Sequence, residues 1–118
     1  MGVAFSHCTA QWAYSGFMSF RQKIASTILG KPCDLYQMYK NDKMNVFVDH
    51  PLYGFLMHSD CDGELTCEAM VRYIPALSDI LGEWTRNNSG IDFDFDTGWK
   101  LIAGMKEAVR LNENLEFH

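Results

Sequence analysis

The sequence predicts a mainly helical fold: a single small domain of about four helices, two of them flanking an acidic loop, with a short strand pair at its two ends. Three observations support this. Apolar residues recur at three- and four-residue steps from Phe17 to Ile28 and again from Met70 to Trp84, the spacing that lines one face of a helix. Gly, Pro and cap-forming residues punctuate those stretches. With 118 residues, 47% of them hydrophobic, the chain can bury one core without disulfides, and no linker or repeat divides it.

The elements follow in order. Val3-Ala4-Phe5-Ser6 and Leu115-Glu116-Phe117 carry the alternation of short strands, and their pairing would join the two ends. The stretch from Ser6 to Phe17 fits neither period and reads as a structured loop anchored by Trp12 and Tyr14, whose rings bury area while keeping one polar atom satisfied. Ser15 is the expected cap of a first helix whose apolar face is Phe17, Phe20, Ile24 and Ile28, with Arg21, Gln22 and Ser26 on its outer side and Gly30 and Pro32 ending it. Leu35 to Tyr39 suggests a short helical turn. Val46-Phe47-Val48 is ambiguous between strand and turn.

Asp49 and Pro51 mark a helix start before Leu52, Phe55 and Leu56. Thr66 is the expected cap of the strongest helix, with Leu65 and Met70 spaced as a hydrophobic staple and Met70, Ile74, Leu77, Leu81 and Trp84 as its buried stripe. Pro75 within that stripe predicts a bend, or a break near Tyr73. Asn87-Asn88-Ser89-Gly90 reads as a turn. Ile91, Phe93 and Phe95 alternate with Asp92, Asp94 and Asp96, which as a strand would set three carboxylates on one face. Asp96 or Thr97 would then cap a last helix, ended by Asn112 and Asn114.

The net charge of -5 is unevenly placed, since seven of the fifteen acids fall in Asp60 to Glu68 and Asp92 to Asp96. Such clusters favour cations. The ten Lys and Arg never gather into a stripe that could neutralise successive phosphates, so no nucleic-acid partner is expected. No run of eighteen apolar residues and no signal-peptide pattern occurs, so no membrane partner is expected and a cytoplasmic location is. Cys8, Cys33, Cys61 and Cys67 lack paired C-x-x-C spacing and read as ordinary thiols of a cytosolic domain expected to be a monomer, with Cys61 and Cys67 flanking one turn.

The segment with metal-binding chemistry is His58-Ser59-Asp60-Cys61-Asp62-Gly63-Glu64-Leu65-Thr66-Cys67-Glu68-Ala69. It resembles the calcium loop of an EF-hand, with His58 at position one, Asp60 at three, Asp62 at five, Gly63 at six and Leu65 at eight. It departs from that pattern at both ends. Position one is His58 where Asp is usual, and position twelve is Ala69, with Glu68 one place early. The resemblance implies a metal site of His58, Asp60, Asp62, Glu64 and Glu68 holding calcium weakly, or a transition metal through the His58 nitrogen. The competing reading is an ion-free turn in which Gly63 takes a positive φ.

Two local resemblances point to catalysis. His58-x-Asp60-x-Asp62-Gly63 is similar to the first metal motif of the DHH phosphoesterases, whose later ligands are missing here. Asp96-Thr97-Gly98 is similar to the aspartic protease triplet, which belongs to a β-rich subunit. Over nearly the full length the chain also resembles a group of small bacterial proteins of unknown function, through Ser6-His7, Trp12-x-Tyr14-Ser15-Gly16-Phe17, His58 to Gly63 and Leu115-Glu116-Phe117.

These features lead to a non-enzymatic binding or regulatory module with a protein partner. The alternative is a small metal-dependent hydrolase using His58, Asp60 and Asp62. A hydrolase needs an open coordination position beside His58, whereas a binding module needs an exposed apolar patch.

Overall fold

The computed structural model describes residues 2–58, 63–86 and 93–117. Asp60, Cys61 and Asp62, the Asn87 to Gly90 turn, and Ile91 and Asp92 lie outside the described residues. The domain is mainly helical. Helices α1 (Tyr14–Leu29), α2 (Leu35–Lys40), α3 (Tyr53–Met57), α4 (Cys67–Arg86) and α5 (Phe93–Arg110) are joined by a 3₁₀ turn at Met44–Phe47 and by short strands β1 (Gly2–Ala4), β2 (Gln11–Ala13), β3 (Glu64–Leu65) and β4 (Leu115–Glu116).

Of the loop expected from Ser6 to Phe17, residues 6–10 are turn and coil, whereas Gln11–Ala13 form a strand and Tyr14 starts a helix. β2 pairs antiparallel with β1, and Val3 lies opposite Trp12. Ala13, not Ser15, is the residue before α1, and no side chain caps it. The anchoring role of Trp12 holds: its ring is buried, stacks on Phe20 at 4.7 Å, and its Nε1 donates to Asp94 Oδ1 at 2.9 Å. The two chain ends do meet. Phe5 bridges Phe117, and the Ser6 amide donates to the Glu116 carbonyl at 2.9 Å. Most of the ladder, however, forms elsewhere, with β1 on β2 and β4 on β3.

α4 runs unbroken through Pro75, so the expected break near Tyr73 does not occur. Proline removes only the hydrogen bond to the Val71 carbonyl, and Val71 and Pro75 face solvent. Met70, Tyr73, Leu77, Ile80, Leu81 and Trp84 are buried on the opposite side, and that stripe holds the helix continuous across the gap. The N-terminus forms as the sequence predicts, because the Ala69 amide donates to Thr66 Oγ1 at 3.1 Å over a buried Leu65 and Met70.

α5 corrects the strand expected around Phe93 and Phe95. Phe95 and Asp96 lie in its first turns, and Asp96-Thr97-Gly98 is helical, not the turn of a protease subunit. Residues two apart share a strand face but lie on nearly opposite sides of a helix. Asp94 therefore turns inward to Trp12 and to Lys23 Nζ at 2.9 Å, while Asp96 is exposed. The Asp49 cap is also displaced: α3 starts at Tyr53, and it is His50 Nδ1 that accepts the Leu52 amide proton, at 3.1 Å.

Candidate functional site

Arg21 departs most from its expected place. It sits one turn after Phe17 and three residues before Ile24, on the buried side of α1, and is 3% exposed. Its Nη1 donates to the carbonyls of Phe55 and Leu56 at 3.4 Å and of His58 at 2.6 Å, and its guanidinium lies 4.7 Å from the centre of the Phe17 ring. A short helix such as α3 ends with unpaired carbonyls and a partial negative charge. Arg21 satisfies both from the neighbouring helix.

Arg21 also forms part of the floor of a hollow of about 210 Å³ between α1, α2 and α3. Leu35, Met44 and Leu56 are buried in its walls. Tyr36, 54% exposed, and Tyr39, 60% exposed, stand on its rim with Met57, and Lys40 Nζ lies 5.6 Å from the Tyr36 ring. Val46 and Val48 continue the exposed apolar surface along the chain. Five of the seven exposed large apolar side chains among the described residues thus belong to the stretch from Tyr36 to Met57. Arg21 is readable in retrospect as a cation spaced on an apolar stripe. Tyr36 and Tyr39 carried no such signal, because exposure on a six-residue helix depends on what packs beside it.

Of the predicted metal ligands, Asp60 and Asp62 lie outside the described residues. His58 follows α3 and also borders the hollow. Its ring stacks on Phe117, centres 4.3 Å apart, and its Nε2 lies 2.9 Å from the Glu64 carbonyl. A carbonyl can only accept, so Nε2 carries the proton and ligation by His58 in this arrangement would fall to Nδ1. The Glu64 carbonyl is also the one that position seven of a calcium loop offers to the ion. Gly63 has φ 92°, the positive value expected of it. The Glu64 and Glu68 side chains are exposed, and among the described residues no group of three or more His, Cys, Asp or Glu is placed to hold a metal ion. β3, in the same loop, pairs within the chain to β4.

A second polar arrangement joins the ends of the chain. The Glu116 amide donates to Ser6 Oγ at 2.9 Å, Ser6 Oγ lies 2.7 Å from His7 Nδ1, and His7 Nε2 lies 2.8 Å from Glu113 Oε1. With Ser6 Oγ accepting from the amide, its own proton goes to Nδ1 and the Nε2 proton to the carboxylate. Serine, imidazole and carboxylate are in relay order. The serine oxygen is nevertheless fixed between two partners, and the chain serves as a clasp between the first and last strands.

Comparison of the chain with protein families, with curated proteins and with solved structures finds no match. Among the described residues no helix is long and apolar enough to cross a membrane.

Proposed function

We propose that the protein is a non-enzymatic binding module whose site is the hollow between α1, α2 and α3, and that its occupant is an acidic amphipathic segment of a partner polypeptide. The observation that carries this reading is the exposed apolar rim of Tyr36, Tyr39 and Met57 around a recess with buried apolar walls. Aromatic and Met side chains around a recess that admits one apolar side chain form the pattern of an interface hot spot. Arg21 lines the recess and Lys40 lies beside the rim residue Tyr36, so in a chain of net charge -5 an acidic partner segment is favoured there over a basic one. The acidic loop enters this reading as a neighbour of the site, because His58 belongs to both.

Selection from a library of amphipathic peptides, followed by titration into protein carrying ¹³C-labelled methionine methyls, tests the reading. Met18, Met44 and Met57 line the hollow and report occupancy directly. The selected peptides should carry an apolar anchor beside acidic residues, shift those three methyls, and bind Tyr36→Ser/Tyr39→Ser at least about tenfold more weakly. Peptides that bind this variant as well as the wild type would remove the hollow from the proposal.

A further inference from the structure

A second, open cleft of about 690 Å³ lies between the segment from Val48 to Gly54 and the first half of α4. We propose that this cleft binds a small aromatic oxyanion, a carboxylate or phosphate carried on a flat ring.

The first observation is Tyr73. The residue is 5% exposed, its ring meets Phe55 edge to face at 5.9 Å, and its hydroxyl, on the cleft wall, forms no hydrogen bond with any described residue. The ring is buried while the hydroxyl opens on the cleft, where it can donate to an acceptor held there. The position of the hydroxyl is built in. A β-carbon on Gly54 would collide with it, so glycine at 54 is what lets the phenol reach the backbone of α3.

Two further groups that line the cleft complete the donor set. His50 Nδ1 is occupied by the Leu52 amide proton, so the ring proton sits on Nε2 and that nitrogen donates. Burial lowers the pKa of His50, which keeps this arrangement in place at neutral pH. Arg72 adds the positive charge and acts electrostatically on the Tyr73 hydroxyl. Pro51, Pro75 and the Tyr53 ring supply flat apolar walls. Asp49 is the opposing charge on the cleft. It is exposed, so water screens its repulsion more than that of a buried carboxylate. Three donors of different kinds, one of them a cation, suit an oxyanion, and the proline and tyrosine surfaces suit a ring.

The whole protein, ¹⁵N-labelled, is titrated with benzoate, phenyl phosphate, benzyl alcohol and inorganic phosphate. Saturable shifts at Gly54, Arg72 and Tyr73 are expected with benzoate or phenyl phosphate at up to about 10 mM, and weaker or no shifts with benzyl alcohol and inorganic phosphate. Whichever of the two aromatic anions binds tighter names the head group. Tyr73→Phe and, on the exposed helix face, Arg72→Gln should each weaken binding at least about tenfold. The proposal is overturned if neither aromatic anion gives saturable shifts at these residues. Equally tight binding of benzyl alcohol, or unchanged affinity in Arg72→Gln and in a folded Tyr73→Phe, overturns it as well.

Discussion

The guanidinium of Arg21 donates to the carbonyl of His58 at 2.6 Å and so ties the middle of α1 to the point where α3 passes into the acidic loop. Because Arg21 and His58 both border the apolar hollow, this one bond couples a helix end, a loop and a candidate binding surface. Replacing Arg21 by Leu keeps the packing but leaves the carbonyls of Phe55, Leu56 and His58 without that donor. We expect a loss of about 1 to 3 kcal/mol in urea unfolding. A change within about 0.5 kcal/mol would show that Arg21 is not what closes α3.

Leu77 is buried at the centre of the α4 stripe, and α4 makes the most extensive helix contact in the domain with α5. Leu77→Ala should cost on the order of 2 to 5 kcal/mol, the transfer term plus the cavity left behind. A cost near zero by the same denaturation measurement would mean that the stripe is not the core.

Asp94 receives Trp12 Nε1 and pairs with Lys23 where the start of α5 meets β2 and α1. Asp94→Ala removes a carboxylate from the first turn of a helix and leaves a buried indole N–H without its acceptor. We expect a loss of about 2 to 3 kcal/mol, reduced from the value for a fully buried pair because Lys23 is partly exposed. Asp94→Asn, which keeps an acceptor oxygen, should recover a large part of it. Equal losses in the two variants would indicate that charge and not the hydrogen bond matters here.

His50 gives a pH dependence of defined sign. Burial lowers its folded pKa below its unfolded value, so the unfolded chain binds the proton more readily and stability falls with acid. The contribution is fully present above the unfolded pKa of about 6.5 and is lost as pH falls through the folded pKa. Protonation at Nδ1 also turns the acceptor of the Leu52 amide into a donor. His50→Asn keeps an acceptor two residues before that amide without titrating, as in an Asx turn. The melting temperature of this variant should therefore fall less steeply than that of the wild type below about pH 7. Parallel curves would assign the acid sensitivity to other groups.

The ion expectation at the acidic loop is tested by melting the protein beside Asp60→Ala/Asp62→Ala, in chelator and then with calcium, zinc or manganese. A site saturated at a hundred times its Kd adds roughly 2.7 kcal/mol. A loop with His58 first and Ala69 last predicts far less, a rise of about 1 to 3 °C in millimolar calcium. If no metal moves the wild type more than the double variant, the segment is a turn and the binding module acts without an ion.

Much of the fold is legible in the order of residues. The stripe from Met70 to Trp84, the Thr66 cap with its Leu65 and Met70 staple, the α1 face of Phe17, Phe20 and Ile24, and the positive φ of Gly63 follow from periodicity and local sterics, which act over a few residues. The start of α5 was not legible in this way. Alternating Phe and Asp satisfies a strand pattern, and the helix is chosen because Asp94 finds Trp12 and Lys23, partners distant along the chain. Pro75 is tolerated for a similar reason, since packing on the far side of α4 outweighs one missing hydrogen bond.

By itself, then, the sequence determined where helices run, which faces they bury and that one domain results, because propensity, capping and hydrophobic period are local quantities. Only the tertiary structure decided that Arg21 turns inward to close α3, that Tyr36 and Tyr39 are left in solvent around a hollow, and that the Tyr73 hydroxyl meets Gly54 beside His50. Each of these depends on which element packs against which. Burial, the pairing of buried polar groups and the shape of a cleft are properties of that packing and are not encoded in any short stretch of the chain.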